Sequence, residues 1–179
     1  MVYEFLADGF EEIEALATVD ILRRADIEVK TVSVTGKKEV AGAHGITVLA
    51  DILFEEMDEK ANLLILPGGM PGTLNLQAHT PLCDMLVKAA ADKTYIAAIC
   101  AAPSVFGGLG LLKGRKAICY PGFEDKLEGA EIMDKPVVIS GNIITSKGAG
   151  TAHLFGFALV SLLKDEQTAE TLKKGMMYE

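Results

Sequence analysis

The chain has 179 residues, half of them hydrophobic, and 25 acidic against 17 basic side chains leave a formal net charge of −8. That balance excludes a broad nucleic-acid footprint, which needs a basic face, and no apolar run approaches the roughly 18 residues that span a bilayer. Length and apolar content predict one domain over residues 1–179 with a sizeable core.

The opening "MVYEFLADGF" has no basic segment and no long apolar one, so no export signal is expected and the cytoplasm is the expected location. Cys83, Cys100 and Cys119 are an odd, sparse set that does not suit a disulfide framework. No Cys-x-x-Cys, His-x-x-x-His or Glu-x-x-His spacing occurs, so no metal is expected. With no phosphate loop visible, no cofactor is expected either.

In chain order, "VYEFLA" (Val2–Ala7) reads as a strand and "FEEIEALATVDILRRA" (Phe10–Ala25) as a helix. "IEVKTVSV" (Ile27–Val34) alternates as a strand does, and "GITVLAD" (Gly45–Asp51) reads as part of a β hairpin. "NLLILPGG" (Asn62–Gly69) is a buried strand ending in a turn. "TPLCDMLVKAAA" (Thr80–Ala91) is a helix with Pro81 in its first turn, where a missing N–H costs little. "TYIAAIC" (Thr94–Cys100) is a second buried strand, and "KAICYP" with "PVVISGNIITS" supplies three short ones. "GTAHLFGFALVSLL" (Gly150–Leu163) is a helix with Thr151 as N-cap, and a last helix spans about Glu166 to Lys174. Continuous apolar strands alternating with helices predict a doubly wound, mostly parallel sheet sandwiched by helices. In such sheets ligands bind at the carboxyl ends of the strands.

Unusual features follow three of these strands: "ADGFEEIEA", "LPGGMPG" and "CAAPS". Parallel strands bring all three to one edge. Gly68 and Gly69 leave their amides open to a ligand and suit half of an oxyanion hole, although a Gly-Gly pair by itself more often marks a tight turn. A lone buried cysteine is usually core filling. Cys100, however, stands where a strand turns into a helix, and a helix N-terminus stabilises a thiolate and lowers its pKa. Its neighbours Ala101 and Ala102 leave room around the sulfur, as in a nucleophile elbow without the flanking glycines. Cys83, in an amphipathic helix, and Cys119, in a short strand, read as structural. At about 100° per residue, Ile13, Leu16, Ala17, Asp20 and Arg24 share a helical face with Glu14 at its edge, while Glu11 and Glu12 point elsewhere. Asp20 and Arg24 can pair at i,i+4, and charge on an apolar stripe suggests an interface or a pocket wall.

Taken together, "ADGFEEIEA" (Ala7–Ala15), "VDILRRA" (Val19–Ala25), "LPGG" (Leu66–Gly69), "AAICAAP" (Ala97–Pro103) and "TSKGAGTA" (Thr145–Ala152) resemble the ThiJ/PfpI superfamily, in the branch of the parkinsonism-associated protein deglycase and bacterial YajL. The motifs occur in family order across essentially the whole chain. The resemblance implies a flavodoxin-like sandwich and a homodimer. It implies Cys100 as nucleophile, Glu14 as a protonated acid on its sulfur, and the amides of Gly68, Gly69 and Ala101 as oxyanion donors. It also implies that the region of Arg24 and the loop at His44 approach the site across the dimer. Protease and glyoxalase branches carry His where Ala101 stands, which disfavours a Cys-His peptidase. Relatives often carry a His facing the cysteine where this chain has Tyr120, and a phenol is a poor base at neutral pH.

Two functions are therefore expected from these residues. One is a cysteine-dependent, glyoxalase- or deglycase-type enzyme on a small carbonyl substrate, with Glu14 as proton carrier. The other is a redox-sensing, chaperone-like protein in which Cys100 is oxidised.

Overall fold

Contiguous apolar runs become the centre of one sheet because each strand buries both faces. The computed structural model describes residues 1–58 and 60–178. In chain order its elements are β1 (Val2–Leu6), α1 (Glu12–Arg24), β2 (Val29–Ser33), β3 (Glu39–Ala41), β4 (Thr47–Leu49), β5 (Ile52–Leu53), β6 (Leu63–Leu66), α2 (Gly72–Ala78), α3 (Thr80–Ala91), β7 (Tyr95–Ile99), α4 (Pro103–Gly108), β8 (Lys116–Ala117), β9 (Glu131–Ile132), β10 (Val137–Ser140), β11 (Ile143–Ser146), α5 (Ala152–Leu163) and α6 (Glu166–Gly175).

The main sheet runs β10-β11-β7-β6-β1-β2-β5. Every neighbouring pair is parallel except β10–β11. The strands β2, β1, β6, β7 and β11 reproduce the flavodoxin-like order, so the predicted sandwich is the observed one. Alternation along each strand sorts the core into two layers. Tyr3, Phe5, Leu64, Leu66, Ile96 and Ala98 pack under α2, α3 and α4 through Leu76, Leu82, Leu86, Val105 and Phe106. Val2, Ile65, Ala97 and Ile99 face the opposite way, under Ile21 and Leu22 of α1 and Phe155 and Leu159 of α5. Among the described residues no helix is long and apolar enough to cross a membrane.

The structure corrects several boundaries. Helix α1 starts at Glu12, not Phe10, because Phe10 bridges to Gly42 and Glu11 caps the helix by accepting from the Ile13 N–H at 3.4 Å. The expected strand around Cys119 stops at Ala117 and pairs with β9 outside the main sheet. Thr151 stands at the N-cap of α5 without capping it, since its hydroxyl donates to the Gly148 carbonyl at 2.8 Å. Helix α2 is an addition, as its Pro-Gly start and polar residues carry no clear apolar stripe. His79, without an expected role, caps α3 by accepting from the Leu82 N–H at 3.2 Å.

The face of α1 that carries Ile13, Leu16, Asp20 and Arg24 is turned outward, and the side of Glu14 is turned in. Ile13 and Leu16 are 55% and 40% exposed, whereas Glu14 is fully buried. The pair Asp20–Arg24 closes at 2.6 Å between half-exposed side chains, worth a few tenths of a kcal/mol.

Glu12 is not a solvated helix charge either. Its Oε1 accepts the backbone N–H of His44 at 2.7 Å and of Ile46 at 3.4 Å, and its Oε2 meets His44 Nδ1 at 2.9 Å. The carboxylate thereby latches the turn of the β3–β4 hairpin onto the start of α1. Burial pushes Glu12 up, but hydrogen bonds from the His44 ring and the backbone amides outweigh it and hold it below 4.5. The hydrogen bond to Glu12, helped by the charges of Glu11 and Glu12, raises His44 above 6.5. The two signs bracket the latch. Glu12 contributes stability above its ordinary value and loses it as pH falls through the lowered one, while His44 contributes below its ordinary value and loses it as pH rises through the raised one. The latch is therefore complete between pH 4.5 and 6.5. The melting temperature lost in His44→Asn should be largest in that window and shrink toward alkaline pH. A loss that does not vary with pH would show that His44 is held by its backbone alone.

Candidate active site

Cys100 follows β7 with a φ of +64°, a left-handed conformation that costs a residue bearing a Cβ about 1–2 kcal/mol. The surroundings enforce it. The Cys100 N–H donates to the Ser146 carbonyl at 3.0 Å, at the end of β11, and the Cys100 carbonyl accepts the Tyr120 N–H at 2.8 Å. The turn holds the half-buried sulfur at the sheet edge, as a nucleophile elbow does. Helix α4 behind it has only six residues, so the field on the sulfur comes chiefly from the nearby amides of Ala101 and Gly69, which favour a thiolate.

Glu14 reaches the same point from the first turn of α1. Its Oε2 accepts the Gly68 N–H at 2.8 Å. The approach requires glycine at position 68, where a Cβ would lie 2.6 Å from Cys100 Cβ and 2.7 Å from Glu14 Oε2. Gly69 is needed for a second reason: its φ is +92°, and a Cβ there would collide with the backbone of Glu11.

Proximity couples the two titrating groups. Burial pushes the Glu14 carboxyl up to about 7, against hydrogen bonds with Cys100 and the Gly68 amide. Burial, together with the Glu14 charge and hydrogen bond, pushes the Cys100 thiol up to about 12. The lowered thiol pKa expected from a helix terminus is thus overturned, because burial and an ionised neighbour outweigh two amides. Between these values the pair holds one shared proton. Nucleophilic thiolate arises when that proton sits on Glu14, a form that the Gly69 and Ala101 amides favour. Cys83 and Cys119 are buried more deeply, and burial also raises both.

The other expected residues divide. Gly68 is in the site, but its N–H is committed to Glu14, which leaves Gly69 and Ala101 as the amides able to hold an oxyanion. Tyr120 is half-exposed and, with Gly148, forms the wall beside the sulfur: a Cβ on Gly148 would lie 3.3 Å from the Tyr120 ring and 4.0 Å from Cys100 Sγ. Arg24 stands ten residues beyond Glu14, about 15 Å along α1, and pairs with Asp20. His44 is turned to Glu12. Within one chain neither meets Cys100. Glu11, Glu12 and His44 place one ligand atom each within 4.8 Å of one another, a grouping that sequence spacing does not reveal. The Glu12 oxygens there are already engaged by the latch. The structure adds Glu4 behind Glu14, whose signal in the sequence was a lone acid in an otherwise apolar strand.

A sequence model of the DJ-1/PfpI family matches residues 1–162. "Protein DJ-1 homolog B" of Arabidopsis thaliana is 41% identical over 92% of this chain, and the match covers 38% of that longer protein. The chain spans less than half the length of either Arabidopsis relative it matches. A protein of Pyrococcus abyssi named as a deglycase is 30% identical, over 88% of this chain and 96% of its own. The structure described as oxidised DJ-1 of Toxoplasma gondii superposes with a TM-score of 0.95 at 35% identity, over 99% of this chain and 97% of that one.

Overpacking at the meeting point of the three strand ends should be costly. Gly68→Ala should lose about 2 kcal/mol in urea unfolding and change the rate of Cys100 alkylation. Wild-type stability and thiol reactivity in that variant would show that Glu14, Gly68 and Cys100 are not in contact.

Proposed function

The chain belongs to the DJ-1/PfpI family, and on that premise we propose that it is a cysteine-dependent, stress-protective enzyme of the cytoplasm, acting on reactive dicarbonyls or their early adducts. The observation that carries this reading is the contact of Glu14, through Gly68, with an elbow cysteine whose sulfur is met by the amides of Gly69 and Ala101. The name of the Pyrococcus abyssi relative supports it.

With methylglyoxal, the Cys100 thiolate adds to the aldehyde carbon and the new oxyanion rests on the Gly69 and Ala101 amides. The oxyanion takes up a proton to give a hemithioacetal. Ionised Glu14 removes the proton from the carbon bonded to sulfur and returns it to the neighbouring carbon. As the hydroxyl proton of the first carbon passes to the oxygen of the second, the first carbon is oxidised to a thioester and the second reduced to an alcohol. Water cleaves the thioester, giving lactate and regenerating the thiol. An adduct would first lose its thiol or amine as the hydroxyl of the same carbon gives up its proton and reforms the aldehyde, which then follows the same course. No step calls for an imidazole, which is consistent with alanine at position 101 and tyrosine at 120.

The same geometry also suits a redox role, which the oxidised state named for the Toxoplasma gondii structure favours as the second reading. Two equivalents of peroxide would take the thiolate through sulfenate to sulfinate, with a water leaving at each step. The sulfinate oxygens would lie on the same amides and on protonated Glu14.

We further propose a homodimer. Ile13 and Leu16 on α1 lie at 55% and 40% exposure, and Ile46 and Leu49 on the hairpin at 54% and 69%. The hairpin turn is latched to the start of α1, so these residues belong to one rigid region, and apolar exposure of that kind marks an association surface. A second copy would bring the Arg24 and His44 regions toward the partner's site. Light scattering at micromolar concentration should give twice the 19.0 kDa chain mass, and Leu16→Glu should shift it toward the monomer. A wild-type mass of one chain removes the proposal.

Turnover should follow the one-proton form of the Glu14–Cys100 pair. With Glu14 at about 7, kcat/KM on methylglyoxal should rise tenfold per pH unit up to that value and then level off. Glu14→Gln should lower the plateau by at least ~10²-fold and Cys100→Ser should abolish it. Full turnover in Glu14→Gln would dismiss the proton-carrier role, and no turnover in the wild type would leave the redox reading in its place.

A further inference from the structure

Glu4 lies in the middle of β1, fully buried, on the sheet face covered by α1 and α5. Among the described residues four buried side-chain oxygens lack a hydrogen-bond partner: Glu4 Oε1 and Oε2, Glu14 Oε1 and Thr73 Oγ1. The three carboxyl oxygens share one layer of the core. Beside Glu4 in the sheet stand Thr31 of β2 and Ile65 of β6. The Thr31 N–H and hydroxyl donate to Asp51, which also pairs with Arg23 at the exposed edge of the sheet. From above, α1 presents Glu14 and Thr18, whose hydroxyl donates to the Glu14 carbonyl at 2.7 Å. The buried residues of α5 are all apolar. Among the described residues no basic group faces Glu4, and the charge that acts on it is that of Glu14.

We propose that Glu4 is a positioning residue of the Cys100 site: a neutral buried acid that donates its proton toward the inner oxygen of Glu14 across one buried water, and so holds the outer oxygen on the Gly68 amide beside Cys100. The inference deepens the reading of Glu14 as proton carrier and rests on it. An ionised carboxylate in an apolar layer without a partner is too costly to persist, so Glu4 keeps its proton. Burial and the Glu14 charge both act in that direction. A neutral acid is a donor, and Glu14 Oε1 is the partnerless acceptor of that layer. Donation favours the ionised form of Glu14, while the Gly68 amide fixes the other oxygen. Glu14 is thus gripped from both sides.

The test reads the cysteine and needs no substrate. In the wild type, the rate of Cys100 alkylation by iodoacetamide against pH should inflect at about 7, where Glu14 gives up its proton. Glu4→Val removes the donor and leaves an apolar side chain in an apolar layer. The inflection should then rise by about one pH unit, the size of one hydrogen bond to a carboxylate. Glu4→Gln keeps a donor that cannot ionise and should restore the wild-type inflection. The infrared difference between wild type and Glu4→Gln at pH 8 should show the carbonyl band of a protonated carboxylic acid, which decides the matter if Glu4→Val does not fold. An unmoved inflection in folded Glu4→Val, a downward shift, or absence of the acid band overturns the proposal. A protein that shifts as expected but turns over no dicarbonyl overturns the enzyme reading and leaves Glu4 in its place.

Discussion

A missing Cβ at Gly68 is the constraint on which the site rests. Three strand ends, of β1, β6 and β7, converge where no side chain fits between Glu14 Oε2 and Cys100 Cβ. Closing that gap brings a carboxyl and a thiol together out of water, and their electrostatics follow. Neither can ionise at its ordinary pH, and the second ionisation is far harder than the first. The sheet makes the approach possible, because parallel neighbours deliver their carboxyl ends to one edge, and the enforced left-handed turn at Cys100 aims the sulfur into it. Methyl-sized errors here cannot be relaxed away, since both neighbours of Gly68 are anchored by other bonds.

Much of this was legible in the sequence because local residue types carried it. Runs such as "NLLIL" and "YIAAI" cannot be solvated, so a doubly covered parallel sheet was the economical way to bury them, and Gly-Gly and Cys at their ends had to share an edge. What escaped depends on partners far away in the chain. Periodicity put Ile13 and Leu16 on one stripe with Asp20 and Arg24, but a stripe does not say which side of the helix meets the sheet, and the buried side proved to be that of Glu14. Glu12 looked like a surface charge because its partners, His44 and Ile46, lie over thirty residues on. The raised thiol pKa was hidden for the same reason. A helix terminus can be read locally, whereas the burial and carboxylate that outweigh it are tertiary. Helix α2, begun by Pro-Gly, and the two-residue strands β5 and β9 fall below the length at which any period is visible.

Glu4 and Glu14 show how a core tolerates two acids without a cation. A buried carboxylate paired with a cation would be neutral as a pair but would stay ionised and could not titrate near neutrality. Leaving both acids without a cation keeps one proton per titrating group at low pH and makes Glu14, linked to the Gly68 amide and to Cys100, the first to release it. Desolvation, which ordinarily penalises such residues, is what brings the Glu14 carboxyl up to titrate at about 7.

The dicarbonyl and redox readings use the same one-proton state, in which thiolate forms as Glu14 takes the proton. They differ in what meets the sulfur first. A carbonyl carbon must approach along a line that leaves its oxygen on Gly69 and Ala101 and its C–H toward Glu14, which requires the Tyr120–Gly148 wall to admit a planar two-carbon unit. Peroxide demands only access and a thiolate. The carboxyl therefore discriminates between the chemistries. In the redox sequence it is one more donor to an oxygen, whereas in the isomerisation it must lose and regain a proton within each turnover, the role for which its raised and gripped state is suited.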